Sequence, residues 1–305
     1  MGNRQEKNSD GFFASLIGER TTAKTAGLIY TIAALAIFGV SFCFLFLPGG
    51  QEEIPQWRLY LNYLAAPIAF LLAGFWYFSY TKTPFKSFIK EQSCPVKYYL
   101  VAIVLQVGLF SLAELNGVFL KFLERFGYTA GELLLPSMEG IGFIGVLFTI
   151  AVVPAIMEEF LFRGIFLREM KGFSMLARVF ICGGLFALYH QNPAQTVYQF
   201  ICGAMFALVA VKSGSFFPTM LSHFINNGVI LLLTKFGVST FSPVVYAVIL
   251  ATSGLCLVGS LVYLLVFDRV KEEKKKGDFV NFFACASAGI AMLLLSWLAA
   301  LLTGA

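Results

Sequence analysis

AGLIYTIAALAIFGVSFCFLFL, residues 26–47, carries no charged side chain along its whole length. At 1.5 Å of rise per residue, such a run spans about 30 Å as a helix, the thickness of a bilayer's hydrocarbon core. It shows none of the polar–apolar alternation of a barrel strand. It reads as a membrane-spanning helix, and the rest of the chain repeats the pattern. Comparable apolar blocks occupy 59–80, 98–118, 140–167, 175–190, 194–212, 215–234, 243–267 and 279–302. The fifth block is short, and the fourth is longer than one crossing requires. The expected fold is an all-α, polytopic transmembrane helical bundle of eight to nine spans.

Composition points the same way. Of 305 residues, 58% are hydrophobic and 13% charged, too few polar side chains to cover a soluble domain of that length. The net charge of +5 does not indicate nucleic acid, because the basic residues cluster in loops beside spans. With nine spans, seventeen of the 22 Lys and Arg fall on one side, including Lys82, Lys86, Lys90, Lys97 and Arg269. The other side holds Arg58, Lys121, Arg125 and Lys235, while Arg163 stays within a span. That bias predicts a cytoplasmic N-terminus.

Residues 1–25 form a polar tail of mixed charge without the pattern of a signal peptide, so the first span is expected to remain as an anchor. Residues 271–278 (KEEKKKGD) read as a solvated loop. The six cysteines, at 43, 94, 182, 202, 256 and 285, form no CxxC pair and read as small apolar side chains. No internal repeat is visible, which disfavours an inverted-repeat transporter.

Charged groups at bilayer depth are costly unless paired or solvated, so they mark functional positions. The fourth block contains PAIMEEFLFRGIF, residues 154–166. Glu159 and Arg163 stand four apart and can pair on one helix face; an ion pair that only fixes packing is an equal reading for these two. Glu158 sits about 100° around the helix and faces something else. Pro154 removes a backbone donor one turn before it. The two histidines of the chain, His190 and His223, close FALYH and open HFINN. Phe186 lies one turn before His190, and Asn227 one turn after His223. If chain turns fall near Gly172 and Gly214, then Glu158, His190 and His223 lie about 20, 25 and 13 Å from them. Those depths permit convergence in mid-membrane. Other polar residues compete: Glu114 and Asn116 read as interfacial, and Gln191, Asn192, Gln195 and Gln199 as a wet vestibule or a loop. Trp57, Tyr60 and Tyr80 read as markers of the bilayer interface.

Amide hydrolysis needs an activated water, a proton for the departing amine and donors for the oxyanion. Glu158 suits the general base, with His190 holding the same water; His223 and Asn227 suit the oxyanion. Zinc held by Glu158, His190 and His223 is the alternative, although HExxH is absent. A proton- or ion-coupled transporter and a non-catalytic immunity or scaffold protein remain open at this point.

EEFLFR (158–163), FALYH (186–190) and HFINN (223–227) resemble the EExxxR, FxxxH and HxxxN motifs of the CaaX-protease and bacteriocin-processing family, in order and spacing. The resemblance covers residues 140–235, flanked by helices at 26–139 and 236–305. It implies an intramembrane endopeptidase of the glutamate type, requiring no metal cofactor, in a bacterial plasma membrane. The implied substrate is a membrane-associated peptide or protein of CaaX or leader type. It further implies Glu158 and His190 as the water-activating pair and His223 and Asn227 as the oxyanion pair. Glu159, Arg163 and Phe186 would support them.

Overall fold

The computed structural model describes residues 22–48, 54–131, 134–238, 240–269 and 276–303. The expectations for residues 1–21 and for most of the 271–278 loop lie outside these. Among the described residues every regular element is helical. In chain order they are α1 (Thr22–Leu45), α2 (Gln56–Thr81), the short α3 (Phe85–Lys90), α4 (Lys97–Glu124) and α5 (Gly142–Glu169). Then come α6 (Met175–Tyr189), α7 (Thr196–Ser213), α8 (Phe217–Lys235), α9 (Pro243–Phe267) and α10 (Phe279–Thr303).

Each of the nine apolar blocks is a helix, but not each is long and apolar enough to cross a membrane. Seven are: α1, α2, α4, α5, α7 with the turn before it, α9 and α10. Among the described residues, length and apolarity thus support seven of the expected eight to nine spans. Helix α6 has 15 residues, about 22 Å, less than a hydrocarbon core. Helix α8 has 19 residues, but Ser222, His223, Asn226 and Asn227 make it too polar. The two that drop out are the two that present the FxxxH and HxxxN motifs.

The short α6 leaves a chain break at 190–195 that needs its polar backbone satisfied inside the protein. Asn192 Oδ1 accepts from Ala194 N (2.8 Å), and Asn116 Nδ2 donates to Ala194 O (2.6 Å). Trp297 Nε1 donates to the Thr196 hydroxyl (2.8 Å). Asn116, expected at the interface, therefore holds this loop.

Helix α5 is the element that sets the site. It is not uniformly α-helical: two π-helical stretches, Leu147–Val152 and Phe160–Phe166, bracket the α-helical Val153–Glu159. Such widened turns redirect side chains and concentrate at functional positions. Buried Phe162, Phe166 and Ile165 seat this helix in the main core, with Phe70 of α2 and Phe186 of α6 edge-on to Phe162.

Helices α1 and α10 approach closely through small residues, as membrane helices do. The Thr31 hydroxyl donates to Cys285 O (2.7 Å) and accepts from Gly289 N (3.3 Å). A Cβ on Gly27 would run into the carbonyl oxygen of Phe282, and one on Gly289 would lie 2.7 Å from Thr31 Cα. Gly27→Ala and Gly289→Ala are each expected to cost about 1–3 kcal/mol by overpacking, read as a lowered melting temperature in detergent. Gly39→Ala, where a Cβ meets nothing within 4 Å, is expected to leave it unchanged or raise it.

Candidate active site

Glu158 and Glu159 are adjacent, both buried, and differently occupied. Glu159 Oε1 receives Arg163 NH1 at 2.9 Å and His223 Nδ1 at 2.9 Å. Arg163 NH2 donates to Gly203 O at 3.0 Å, and its guanidinium lies 4.2 Å from the Phe186 ring centroid. The two charged side chains of this pair are 0% exposed. A buried pair of this kind must be satisfied from several sides, because desolvation removes what its attraction supplies. Four elements contribute: α5, α6, α7 and α8.

The Oε2 of Glu158 is fully buried and has no hydrogen-bond partner among the described residues. His223 Nε2 stands 3.7 Å from that oxygen. The separation is too long for a direct hydrogen bond and short enough for one water oxygen to touch both groups. The Tyr189 hydroxyl also lies beside the Glu158 carboxyl.

His223 therefore bridges the two carboxylates, Nδ1 to Glu159 and Nε2 toward Glu158. The carboxylate at Nδ1 can only accept, which places a proton on Nδ1 and aims Nε2 toward Glu158. His190 is set in the same way: its Nδ1 lies 2.8 Å from Phe186 O, an acceptor one turn back. Its Nε2 is left to accept when the ring is neutral. The Phe186 ring packs 4.8 Å from His190 and 6.2 Å from His223, centroid to centroid. It fills the gap between the two imidazoles and stacks on Arg163.

Asn227 Nδ2 donates to Ile150 O (3.0 Å), and its Oδ1 accepts from Asn226 Nδ2 (3.1 Å). Asn226 is in turn bonded to Gln106 (2.9 Å) and Tyr198 (2.8 Å).

Two contacts go beyond what spacing indicates. The side chain next to Glu158 is His223, whereas His190 makes no ion pair with either carboxylate. His223 is also shared with Glu159, which sequence spacing paired with Arg163 alone. Among the described residues, no three His, Cys, Asp or Glu side chains are grouped to hold a metal ion. Glu158, His190 and His223 thus do not form a zinc ligand set in this geometry.

Sequence reasoning passed over Tyr189, Asn226, Gln106 and Tyr198. Gln106 had a visible signal as a lone amide in YYLVAIVLQVGLF (98–110). Asn226 was hidden by its neighbour, since only the i, i+4 partner of His223 was sought.

The fold and this cluster define a multi-pass helical membrane protein with a glutamate–histidine–arginine centre buried among its helices. Residues 140–229 match the family model described as Rce1-like, type II CAAX prenyl endopeptidase Rce1-like. The match and the motif resemblance fall on the same residues, so this segment is similar to that family, a similarity that supports a membrane protease. No curated protein and no solved structure matches the chain.

Proposed function

We propose that the protein is an intramembrane endopeptidase in which Glu158 activates the hydrolytic water. The observation that carries this reading is the unequal use of two adjacent glutamates. Glu159 Oε1 is committed to both Arg163 and His223, while Glu158 Oε2 stands 3.7 Å from His223 Nε2 without a bond, the place this reading gives to the hydrolytic water.

Glu158 and His190 hold the water, with His190 Nε2 accepting one of its hydrogens. Glu158 takes the other proton as the water oxygen bonds to the peptide carbonyl carbon. An N–H at His223 Nε2 and the Asn227 amide donate to the developing oxyanion. The tetrahedral species collapses, the C–N bond breaks, and Glu158 returns its proton to the departing amine.

In this reading residues 140–235 are the catalytic core, carried by flanking helices, in a bacterial plasma membrane with the N-terminus in the cytoplasm. The substrate is a peptide or protein at the membrane, of CaaX or leader type.

Comparative peptidomics of membranes containing wild-type or Glu158→Gln protein tests the reading, with metal analysis of the purified sample alongside. Peptides present only with wild type are expected. Identical peptide sets, together with Glu158-dependent ion flux in vesicles, would assign the cluster to transport instead.

A further inference from the structure

An oxyanion donor serves only if its N–H points at the reacting carbonyl, and a carboxamide can present either end. Oxygen and nitrogen exchange places when the amide turns by half a revolution. Around Asn227 the bonding forbids that exchange. Ile150 O can only accept, so Asn227 Nδ2 must face it (3.0 Å). This turns Asn227 Oδ1 toward Asn226, which must then offer Nδ2 (3.1 Å). Asn226 Oδ1 consequently faces two donors, Gln106 Nε2 at 2.9 Å and the Tyr198 hydroxyl at 2.8 Å. Each orientation follows from the one before it, starting at a single backbone carbonyl.

That carbonyl lies in the π-helical stretch Leu147–Val152, and the sequence removes its α-helical donor. In an α-helix the C=O of residue 150 accepts from the N–H of residue 154. Residue 154 is proline and has no N–H. Asn227 reaches across from α8 to the carbonyl that Pro154 leaves without its α-helical donor. The same contact ties α8 to α5 about two turns before Glu158.

We infer that Asn226, held by Gln106 and Tyr198, is a positioning residue that fixes the Asn227 amide, and that Pro154 provides the anchor at its other end. One Asn227 N–H is spent on Ile150 O, and the second is directed to the reacting carbonyl. The catalytic half of the inference rests on the peptidase reading; the bonding half does not.

The test is a double-mutant cycle on the full-length protein, with Asn226→Ala, Asn227→Ala and both together. Melting temperature in detergent is one readout, and hydrolysis of a fluorogenic prenylated CaaX peptide the other. The melting shifts should fall short of additivity by about 2 °C or more, since both substitutions break one chain of bonds. Asn226→Ala should lower kcat roughly tenfold to a hundredfold with KM unchanged, less than deleting an oxyanion donor outright. In the Asn227→Ala background it should have no further effect on kcat. Additive melting shifts, or an undiminished kcat effect in that background, overturn the relay. If wild type leaves the peptide intact while the melting shifts remain non-additive, hydrolysis of this substrate class fails and the bonding relay stands. Should Asn226→Ala not fold, Tyr198→Phe removes a single hydroxyl and runs the same cycle.

Discussion

Glu158→Gln is expected to lower the rate of peptide hydrolysis by about 10³-fold, within the usual contribution of a general base, while leaving the protein as stable as wild type or more so. The second half of that result separates a catalytic carboxylate from a structural one. The buried Oε2 of Glu158 has no hydrogen-bond partner among the described residues. Replacing it with an amide of the same shape removes a poorly compensated charge, which costs nothing in packing. Its neighbour should behave in the opposite way. Glu159→Gln removes the charge that faces both Arg163 NH1 and His223 Nδ1, leaving a guanidinium buried without its counter-ion. Breaking one side of such a pair costs about 3–5 kcal/mol. Two identical substitutions at adjacent positions thus carry different signatures. One is stable and inactive; the other is unstable, with activity lost along with folded protein. Measuring kcat per folded molecule and melting temperature for both decides the assignment. A Glu158→Gln protein that cleaves at the wild-type rate would remove Glu158 as the base.

The parts of this arrangement that were legible in sequence are those written locally. Long uncharged runs announce helices for a membrane, and an i, i+4 Glu–Arg spacing announces the Glu159–Arg163 pair. Longer-range bonds are another matter. The His223–Glu159 contact joins positions 64 apart, and Gln106–Asn226 joins positions 120 apart. No spacing in a single chain marks either. Two of the expected spans fall outside the seven helices long and apolar enough to cross, for a physical reason. Hydropathy blocks at 175–190 and 215–234 look like crossings, but one is a helix too short to traverse the core. The other is diluted by His223, Asn226 and Asn227. The residues that make the site are the ones that spoil the span. Finally, Glu158 and Glu159 were placed by the regular α-helical turn, whereas α5 widens on both sides of them. The π-helical stretches explain why angular reasoning from an ideal helix could separate the two carboxylates but not name their partners.

Arg163 gives the second large effect, and its variants distinguish charge from geometry. Arg163→Met should destabilise the protein by about 3–5 kcal/mol, because Glu159 then keeps a buried charge with only His223 beside it. Arg163→Lys should recover little of this. A lysine ammonium is a point charge, whereas the guanidinium donates to Glu159 through NH1 and to Gly203 O through NH2 while stacking on Phe186. Combining Glu159→Gln with Arg163→Met removes both charges and should restore much of the lost stability, since apolar substitutes for a buried pair are often neutral or better. Activity should not return with it. His223 would have lost the carboxylate that holds its Nδ1 proton, and with it the orientation of Nε2 toward Glu158. A third group that orients a catalytic imidazole is part of the machinery even though it never touches substrate. The double variant should therefore melt close to wild type and cleave at least about tenfold more slowly. If it cleaves at the wild-type rate, Glu159 and Arg163 serve packing alone and His223 needs no partner to hold it.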